Sequence, residues 1–218
     1  MKIFLDTADR AMLERWLPSG IIDGVTTNPS TLSKQQAPLQ AVKEICRLMG
    51  DRSVSVEVTE SDPKAVYEQA RRIADLSSNV AVKIPCHIKY YPVIKRLVSE
   101  GVRLNITLVF SVLQGLFMCK LGVAYISPFV GRLDDIDVPG IDLIAQLRTM
   151  VDNYFYETEV LAASMRSVLH VNQAAMSGAD IATVPPALLE KMVNHILTDQ
   201  GIEQFTADWK KLGNPEFL

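Results

Sequence analysis

Residues 79–85, Asn-Val-Ala-Val-Lys-Ile-Pro, form an apolar run of strand-forming residues that a single lysine interrupts. Side chains alternate between the two faces of a strand, so the two valines flanking Ala81 and Ile84 share one face, and Lys83 lies on the other. Similar runs recur at intervals of roughly 20–30 residues, each followed by a stretch of helical periodicity. The run around Lys83 therefore belongs to a repeated strand–helix pattern.

Eight strand-like runs are predicted, at residues 2–6, 24–28, 53–58, 80–85, 104–109, 124–130, 160–165 and 181–184. Amphipathic stretches such as residues 62–76 separate them, and two further helices are predicted at 186–197 and 202–212. This alternation predicts an α/β fold: a single (β/α)₈ TIM-barrel domain over residues 1–218 with an extra C-terminal helix. An open doubly wound sheet is the alternative, but the chain has neither a Gly-rich dinucleotide fingerprint nor a Gly-Lys-Ser/Thr phosphate loop.

The composition excludes several classes of protein. Hydrophobic residues make up 48% of the chain and charged residues 22%, and the net charge is −3. Basic residues are interspersed with acidic ones, so binding to nucleic acid or to a membrane surface is not expected. The three cysteines and three histidines are scattered, which argues against a disulfide framework and a metal site. With no signal peptide or membrane helix in the pattern, we expect a protein of the reducing cytoplasm.

The polar residues of the predicted strands share one parity. In each run the aliphatic face suits contact with the helices, including Leu104, Ile106 and Leu108 in the fifth strand, and the opposite face points into the barrel. Polar residues of that inner face lie toward the strand ends, where barrel enzymes carry their active sites. They are Asp6, Thr26, Asn28, Glu57, Lys83, Asn105, Thr107, Ser127, Ser164 and Arg166.

A lysine in an apolar barrel mouth favours the neutral amine, because burying the ammonium form costs hydration. The amine of Lys83 is thus predicted to attack a ketone and form an iminium, an electron sink for breaking the adjacent carbon–carbon bond. That step needs a base on the hydroxyl beyond the bond, and Asp6 is the candidate. Glu57 and Thr107 are predicted to hold the water that moves protons during iminium formation.

The remaining polar residues suit the substrate. Asn28 and Asn105 offer amide donors to the hydroxyls of the bound carbon fragment, and Arg132, Arg166 and Ser164 suit a phosphate group. Taken singly, each has a structural explanation as well: Asn28 precedes a proline and could form a turn, and Arg132 could pair on the surface.

Several motifs carry a resemblance to a known family. They are residues 4–8 (Phe-Leu-Asp-Thr-Ala), 24–30 (Gly-Val-Thr-Thr-Asn-Pro-Ser), 82–85, 105–111, 126–132 and 162–166. On these motifs the chain resembles the small transaldolases nearly from end to end. The resemblance implies a (β/α)₈ barrel with Lys83 as the Schiff-base residue, Asp6 as acid and base, and no cofactor or metal. It also implies transfer of a dihydroxyacetone unit from sedoheptulose 7-phosphate to glyceraldehyde 3-phosphate, giving erythrose 4-phosphate and fructose 6-phosphate in the non-oxidative pentose phosphate pathway.

The same resemblance bears on assembly. Small transaldolases are typically rings of five subunits or pairs of rings, so a homo-oligomer, a pentamer or decamer, is expected. In the family the C-terminal helix packs on a neighbouring subunit, and residues 205–212 with Trp209 are predicted to do so here. A cap on the same chain is the alternative role for this helix.

Two other functions compete with transaldolase. The related fructose 6-phosphate aldolases typically have Gln at the position of Glu57, Tyr at that of Phe129 and an apolar residue at that of Asn105, so all three residues favour transfer over release of free dihydroxyacetone. A barrel that binds sugar phosphates without catalysis would lack Lys83, Asp6 or Glu57, and this chain has all of them. An acidic stretch at residues 134–140 either caps the barrel mouth or forms a solvated turn.

Overall fold

A computed structural model describes residues 1–211 and residue 213. Eight parallel strands close into a barrel in sequence order, and β8 pairs with β1. The strands are β1 Lys2–Asp6, β2 Gly24–Thr26, β3 Ser53–Glu57, β4 Val80–Pro85, β5 Leu104–Val109, β6 Tyr125–Pro128, β7 Glu159–Ala162 and β8 Ile181–Val184. The closed barrel confirms the predicted fold class and excludes the open sheet.

Eleven helices surround the barrel in the described part of the chain, together with two 3₁₀ turns, Leu17–Ser19 and Ile88–Tyr90. They are α1 Arg10–Trp16, α2 Pro29–Leu32, α3 Pro38–Met49, α4 Pro63–Ala74, α5 Tyr91–Ser99, α6 Val112–Leu121, α7 Val130–Asp134, α8 Gly140–Asn153, α9 Val168–Met176, α10 Pro186–Val193 and α11 Ile196–Lys211. None of these helices is long and apolar enough to cross a lipid bilayer.

Two separate apolar clusters divide the core. The larger joins the outward side chains of the strands, such as Val54, Val82 and Ile106, to the inner faces of the helices. The smaller lies inside the barrel and contains Phe4, Ala81, Tyr125, Leu161, Ala163 and Ile181. Burial of aliphatic area on the outer face stabilises the fold by about 25 cal/mol per Å². The inner face can therefore carry polar groups at one end of the barrel. This arrangement confirms the predicted alternation in most strands.

The fifth strand departs from that alternation. Its pairing with β6 shifts register between Ile106 and Val109, and Leu108 in this bulge has a left-handed φ of 58°. A bulge re-aims the side chains that follow it. The prediction that Leu108 faces the helices was therefore wrong, because its side chain lies on the wall of the central cavity instead.

The C-terminal helices also differ from the predicted bounds. A continuous helix over 186–197 was predicted, but α10 ends at Val193. The last helix was predicted to begin at residue 202, whereas α11 already begins at Ile196. The backbone of Asn194 is extended, and its side-chain amide donates to the carbonyl of Glu190 at 2.8 Å. The ring Nδ1 of His195 accepts from the Leu197 N–H at 3.2 Å and so caps the new helix. Leu212, the predicted last residue of this helix, lies outside the described residues.

Candidate active site

A cavity of about 350 Å³ opens at the carboxyl ends of the strands. Ten of the twelve residues predicted for the site line it: Asp6, Thr26, Asn28, Glu57, Lys83, Thr107, Ser127, Phe129, Arg132 and Ser164. They come from seven strands or the segments that follow them, Arg132 being in helix α7, so the closure of the barrel brings together residues that are far apart in sequence. Asn105 and Arg166 do not line this cavity.

Lys83 is held at the base of the cavity by two oxygen atoms. Its Nζ lies 3.0 Å from Glu57 Oε2 and donates to the carbonyl of Thr27 at 3.1 Å. Glu57 and Lys83 are partners in the β3–β4 register, so strand pairing itself places the carboxylate beside the amine. The Lys83 side chain is only 7% exposed and that of Glu57 14%. The carboxylate is close enough to receive a proton from the ammonium, which would release a neutral amine.

Asp6 ends β1 and lines the same cavity. Its Oδ1 accepts from Thr26 Oγ1 at 3.1 Å and from Asn28 Nδ2 at 3.3 Å. Burial raises the pKa of the Asp6 carboxyl, and the positive charge of Lys83 and these two hydrogen bonds offset part of that effect. Such a carboxyl is suited to take up a proton and to return it.

Asn28 has a structural role as well. Its Oδ1 accepts from the Thr31 N–H at 2.9 Å, and the Thr31 hydroxyl in turn accepts from the Asn28 N–H at 3.0 Å. This capping box begins α2 and orients the asparagine, so that its Nδ2 is directed to Asp6. The turn-forming and the site-forming explanations of Asn28 therefore both hold geometrically.

Thr107 and Asn105 come from β5 and have different surroundings. Thr107 Oγ1 is buried on the cavity wall and makes no hydrogen bond within the described part of the protein. Asn105 is fully buried; its Nδ2 donates to Ser55 Oγ at 3.0 Å, and its Oδ1 accepts from Ser127 Oγ at 2.6 Å. A buried unpaired hydroxyl is costly, so Thr107 is available to bind a polar group in the cavity, whereas Asn105 braces the barrel interior next to Lys83.

The two predicted phosphate-binding arginines are placed differently. Arg132 lines the cavity with its guanidinium 5.1 Å from the centre of the Phe129 ring. Arg166 binds Asp135 through both of its terminal nitrogens, and the second of these contacts is 2.6 Å long. The guanidinium of Arg166 holds the pKa of the Asp135 carboxyl below its usual value. In this structure the fork of Arg166 is thus occupied by a carboxylate of the acidic stretch.

The acidic stretch is anchored by its first two residues, Asp134 and Asp135. Beside the contact of Asp135 with Arg166, Asp134 Oδ1 accepts from the Gly140 N–H at 2.9 Å and thereby ties the stretch to the start of α8. Gly131 explains how closely this region packs, because a Cβ at that position would lie 2.5 Å from the carbonyl oxygen of Ser164. Only glycine permits the approach.

Sequence reasoning missed several residues of the site. Thr183 of β8 lines the cavity, and its Oγ1 lies 2.6 Å from Thr26 Oγ1. Parity contained the signal, since Ala182 and Val184 face outward and Thr183 is the polar residue between them. The contact of Lys83 with the Thr27 carbonyl could not be predicted from the sequence, because every residue type has a backbone oxygen that can accept this hydrogen bond.

The arrangement supports amine chemistry at Lys83. Burial raises the pKa of the nearby Cys86 thiol to about 11, so this cysteine is not a thiolate at neutral pH. No group of three His, Cys, Asp or Glu side chains within residues 1–211 is arranged to hold a metal ion. A buried amine beside the Glu57 carboxylate, in a cavity that Asp6 also lines, can form an imine and exchange protons with a bound hydroxyl compound.

Comparison with known proteins adds independent evidence. The family model described as "Transaldolase/Fructose-6-phosphate aldolase" matches residues 3–215. Proteins named "Probable transaldolase" from Chelativorans sp. (strain BNC1) and Parvibaculum lavamentivorans are each 48% identical to the chain over 98% of both lengths. A similar protein from Rhizobium meliloti is 45% identical over the same shares.

Among solved structures, a mutant mandelate oxidase with an FMN adduct superposes with a TM-score of 0.61 at 16% identity, covering 85% of this chain and 64% of the other. At that identity the likeness concerns the barrel fold alone. The match to the family model over nearly the whole chain, together with the relatives of the same length, shows that the chain belongs to the transaldolase/fructose-6-phosphate aldolase family.

Proposed function

We propose that this protein is a class I transaldolase, which transfers a dihydroxyacetone unit from sedoheptulose 7-phosphate to glyceraldehyde 3-phosphate and yields erythrose 4-phosphate and fructose 6-phosphate. The observation that carries the proposal is the buried Lys83 amine, 3.0 Å from Glu57 and in one cavity with Asp6. No cofactor takes part in the proposed reaction.

The first half of the reaction forms the covalent intermediate. Glu57 takes a proton from the Lys83 ammonium, and the free amine attacks the ketone carbon of the substrate. The carbinolamine then loses its hydroxyl as water, for which Glu57, with a bound water on the Thr107 hydroxyl, supplies the proton. The product is an iminium between Lys83 and the sugar.

The second half breaks the carbon–carbon bond. Asp6 removes the proton from the hydroxyl beyond that bond, the bond's electron pair moves toward the iminium nitrogen, and an aldehyde leaves. The three-carbon enamine stays on Lys83 until the acceptor aldehyde enters, and then the same steps run in reverse. The raised pKa of Asp6 suits both directions, because the carboxyl must hold the proton from the departure of the first aldehyde until the acceptor aldehyde adds.

The remaining site residues are assigned to substrate binding. Thr26, Asn28 and Ser127 offer hydrogen bonds to the hydroxyls of the three-carbon fragment. Asn105 is assigned to the same fragment through its place beside Lys83 in the β4–β5 register. Ser164, Arg132 and Arg166 are assigned to the phosphate, with Arg166 exchanging Asp135 for the phosphate oxygens.

Release of free dihydroxyacetone, the aldolase reaction, is the alternative. Release requires a proton on the enamine carbon, and Phe129 on the cavity wall has no hydroxyl to donate one. The test is to incubate the enzyme with fructose 6-phosphate, with and without erythrose 4-phosphate. We expect turnover only with the acceptor; free dihydroxyacetone accumulating without it would favour the aldolase.

Phe129→Tyr is predicted to shift the product toward free dihydroxyacetone, because the new hydroxyl places a proton donor at the cavity. The ratio of free dihydroxyacetone to sedoheptulose 7-phosphate measures the shift. Phe110→Tyr is the matched control, since Phe110 packs edge-on against Phe129 with a centroid distance of 6.1 Å and does not line the cavity. An unchanged product ratio in Phe129→Tyr would refute the assigned role.

The covalent step has its own test. Borohydride reduction in the presence of fructose 6-phosphate, followed by peptide mass mapping, is expected to place a sugar-derived adduct on Lys83. An adduct on another residue contradicts the role of Lys83, and the absence of any adduct favours a barrel that binds sugar phosphates without catalysis.

Assembly and location complete the proposal. We assign a pentamer or decamer in which α11 packs on a neighbouring subunit, supported by the exposed Ile202 and Phe205 on a helix with no buried side chain. Cytoplasmic location is supported by Cys46, Cys86 and Cys119, which are all free thiols. Sedimentation velocity of the full chain and of Phe205→Glu tests the assembly; an unchanged oligomer in the variant would contradict this interface.

A further inference from the structure

Two threonine hydroxyls form a chain that ends on Asp6. Thr183 Oγ1 of β8 lies 2.6 Å from Thr26 Oγ1 of β2, and Thr26 Oγ1 lies 3.1 Å from Asp6 Oδ1. Thr183 is 5% exposed and Thr26 2%, so water competes weakly for these contacts. The family reaction assigned above does not use Thr183.

The number of protons available determines which hydroxyl donates in each of these two hydrogen bonds. An ionised carboxylate only accepts hydrogen bonds, and a threonine hydroxyl has one proton to donate. When Asp6 is ionised, the Thr26 hydroxyl donates its hydrogen bond to Asp6 Oδ1. The 2.6 Å contact must then be a hydrogen bond in which Thr183 donates to Thr26. A hydroxyl that accepts one hydrogen bond becomes a stronger donor in the next.

We propose that Thr183 is a positioning residue for the base Asp6: through Thr26 it fixes the carboxylate on the cavity wall and favours its ionised form. The inference rests on the proposed function, since it concerns the step in which Asp6 removes the hydroxyl proton. Thr183 forms no bond to the reacting atoms in that step.

The charged groups around Asp6 determine how this role can be measured. Lys83 from β4 lowers the pKa of the Asp6 carboxyl and Glu57 from β3 raises it. Among the described residues β2, the start of α2 and β8 contribute the neutral Thr26, Asn28 and Thr183. Loss of the Thr183 hydroxyl weakens a hydrogen bond to the charged form, which raises the pKa of Asp6 further. The acid limb of the rate profile, where Asp6 loses its proton, therefore moves to higher pH.

The test uses Thr183→Val, which keeps the shape of the side chain and removes the donor, and fructose 6-phosphate as the probe. Borohydride quenching within the first turnover, before cleavage reaches equilibrium, followed by intact-protein mass measurement separates the six-carbon phosphate adduct, trapped before bond cleavage, from the three-carbon adduct trapped after it. We expect the ratio of six-carbon to three-carbon adduct to rise about three- to tenfold, with kcat falling by a similar factor and KM nearly unchanged.

Three further variants make the result specific. Thr183→Ser restores the hydroxyl and is expected to restore the wild-type ratio and pH profile. Thr158→Val is the matched control, because Thr158 is a buried threonine that donates to the Val123 carbonyl at 2.7 Å and does not line the cavity. Should the valine variant fail to fold, Thr183→Ala carries the same expectation.

The outcomes separate the inference from the function on which it rests. A wild-type adduct ratio and pH profile in the folded Thr183→Val variant would overturn the role of Thr183 alone, as would a serine variant as defective as the valine one. The absence of both adducts from the wild-type enzyme would overturn the proposed function together with this inference.

Discussion

Replacing Lys83 by methionine is expected to lower stability as well as to abolish the reaction. Methionine fills the volume of the lysine stem, so the packing is largely kept and the lost ammonium dominates. Removing one member of a buried ion pair costs about 3–5 kcal/mol. Glu57 is 14% exposed and borders the cavity, so water screens part of its charge, and we expect about 2–3 kcal/mol at pH 7. For a chain of this length the Tm then falls by about 4–12 °C.

The loss of stability in Lys83→Met depends on pH, and the structure determines the direction of that dependence. Lys83 lowers the pKa of Asp6, so the variant's Asp6 carboxyl has a pKa raised further above its ordinary value of 3.8. A carboxyl with a higher pKa in the folded than in the unfolded state binds more protons when folded. Its folded form therefore gains stability as pH falls toward the unfolded pKa. The Tm gap between wild type and Lys83→Met should narrow as the pH falls from 7 to about 4, close to the ordinary pKa of 3.8.

Thermal unfolding at both pH values measures the effect, with Lys95→Met as the control, because Lys95 is an exposed lysine of α5. The control should stay within about 0.5 kcal/mol of wild type. Adding Glu57→Gln to Lys83→Met removes the stranded carboxylate and should recover about 1 kcal/mol or more. A wild-type Tm in Lys83→Met at pH 7, or a double variant no more stable than the single one, would refute this account of the pair.

Two further changes test other parts of the site. Asp6→Asn should reduce turnover by about 10²–10⁴-fold while the trapped six-carbon adduct persists. Because burial raises the Asp6 pKa, the charged carboxyl lowers the stability of the wild type above pH 3.8. The Tm of the variant should therefore exceed that of the wild type at pH 7, and the gain should vanish below about pH 4. A lower Tm at pH 7 would contradict this. Asp135→Asn should free the Arg166 fork and lower KM for fructose 6-phosphate about two- to fivefold, while Asp137→Asn in the same stretch leaves it unchanged; equal KM values in all three proteins would exclude competition between Asp135 and phosphate.

The barrel and most of the cavity wall could be predicted because strand periodicity is local. Alternation decides which face of a strand is buried, and parallel pairing then brings the ends of neighbouring strands to one rim. Asp6, Glu57 and Lys83 were found in this way. Thr183 carried the same signal, but its predicted strand has only four residues, too few for the alternation to single it out.

Other features depend on contacts that no local pattern encodes. Leu108 looks like any outward aliphatic residue, and only the register shift against β6 turns it inward. Arg166 has the right parity for the cavity, but its partner Asp135 lies 31 positions earlier and holds its guanidinium away from the cavity wall. The break between α10 and α11 lies within an apolar pattern that continues on both sides, so periodicity alone predicted too long a helix.

The bulge at Leu108 also bears on how this enzyme could be redesigned. Leu108 and Ser164 both line the cavity with left-handed φ values of 58° and 61°. β-Branched residues resist that conformation, whereas glycine and asparagine accept it. A combinatorial library that seeks new acceptor aldehydes should therefore exclude valine, isoleucine and threonine at these two codons and put its diversity at Phe129, whose side chain can vary without straining the backbone.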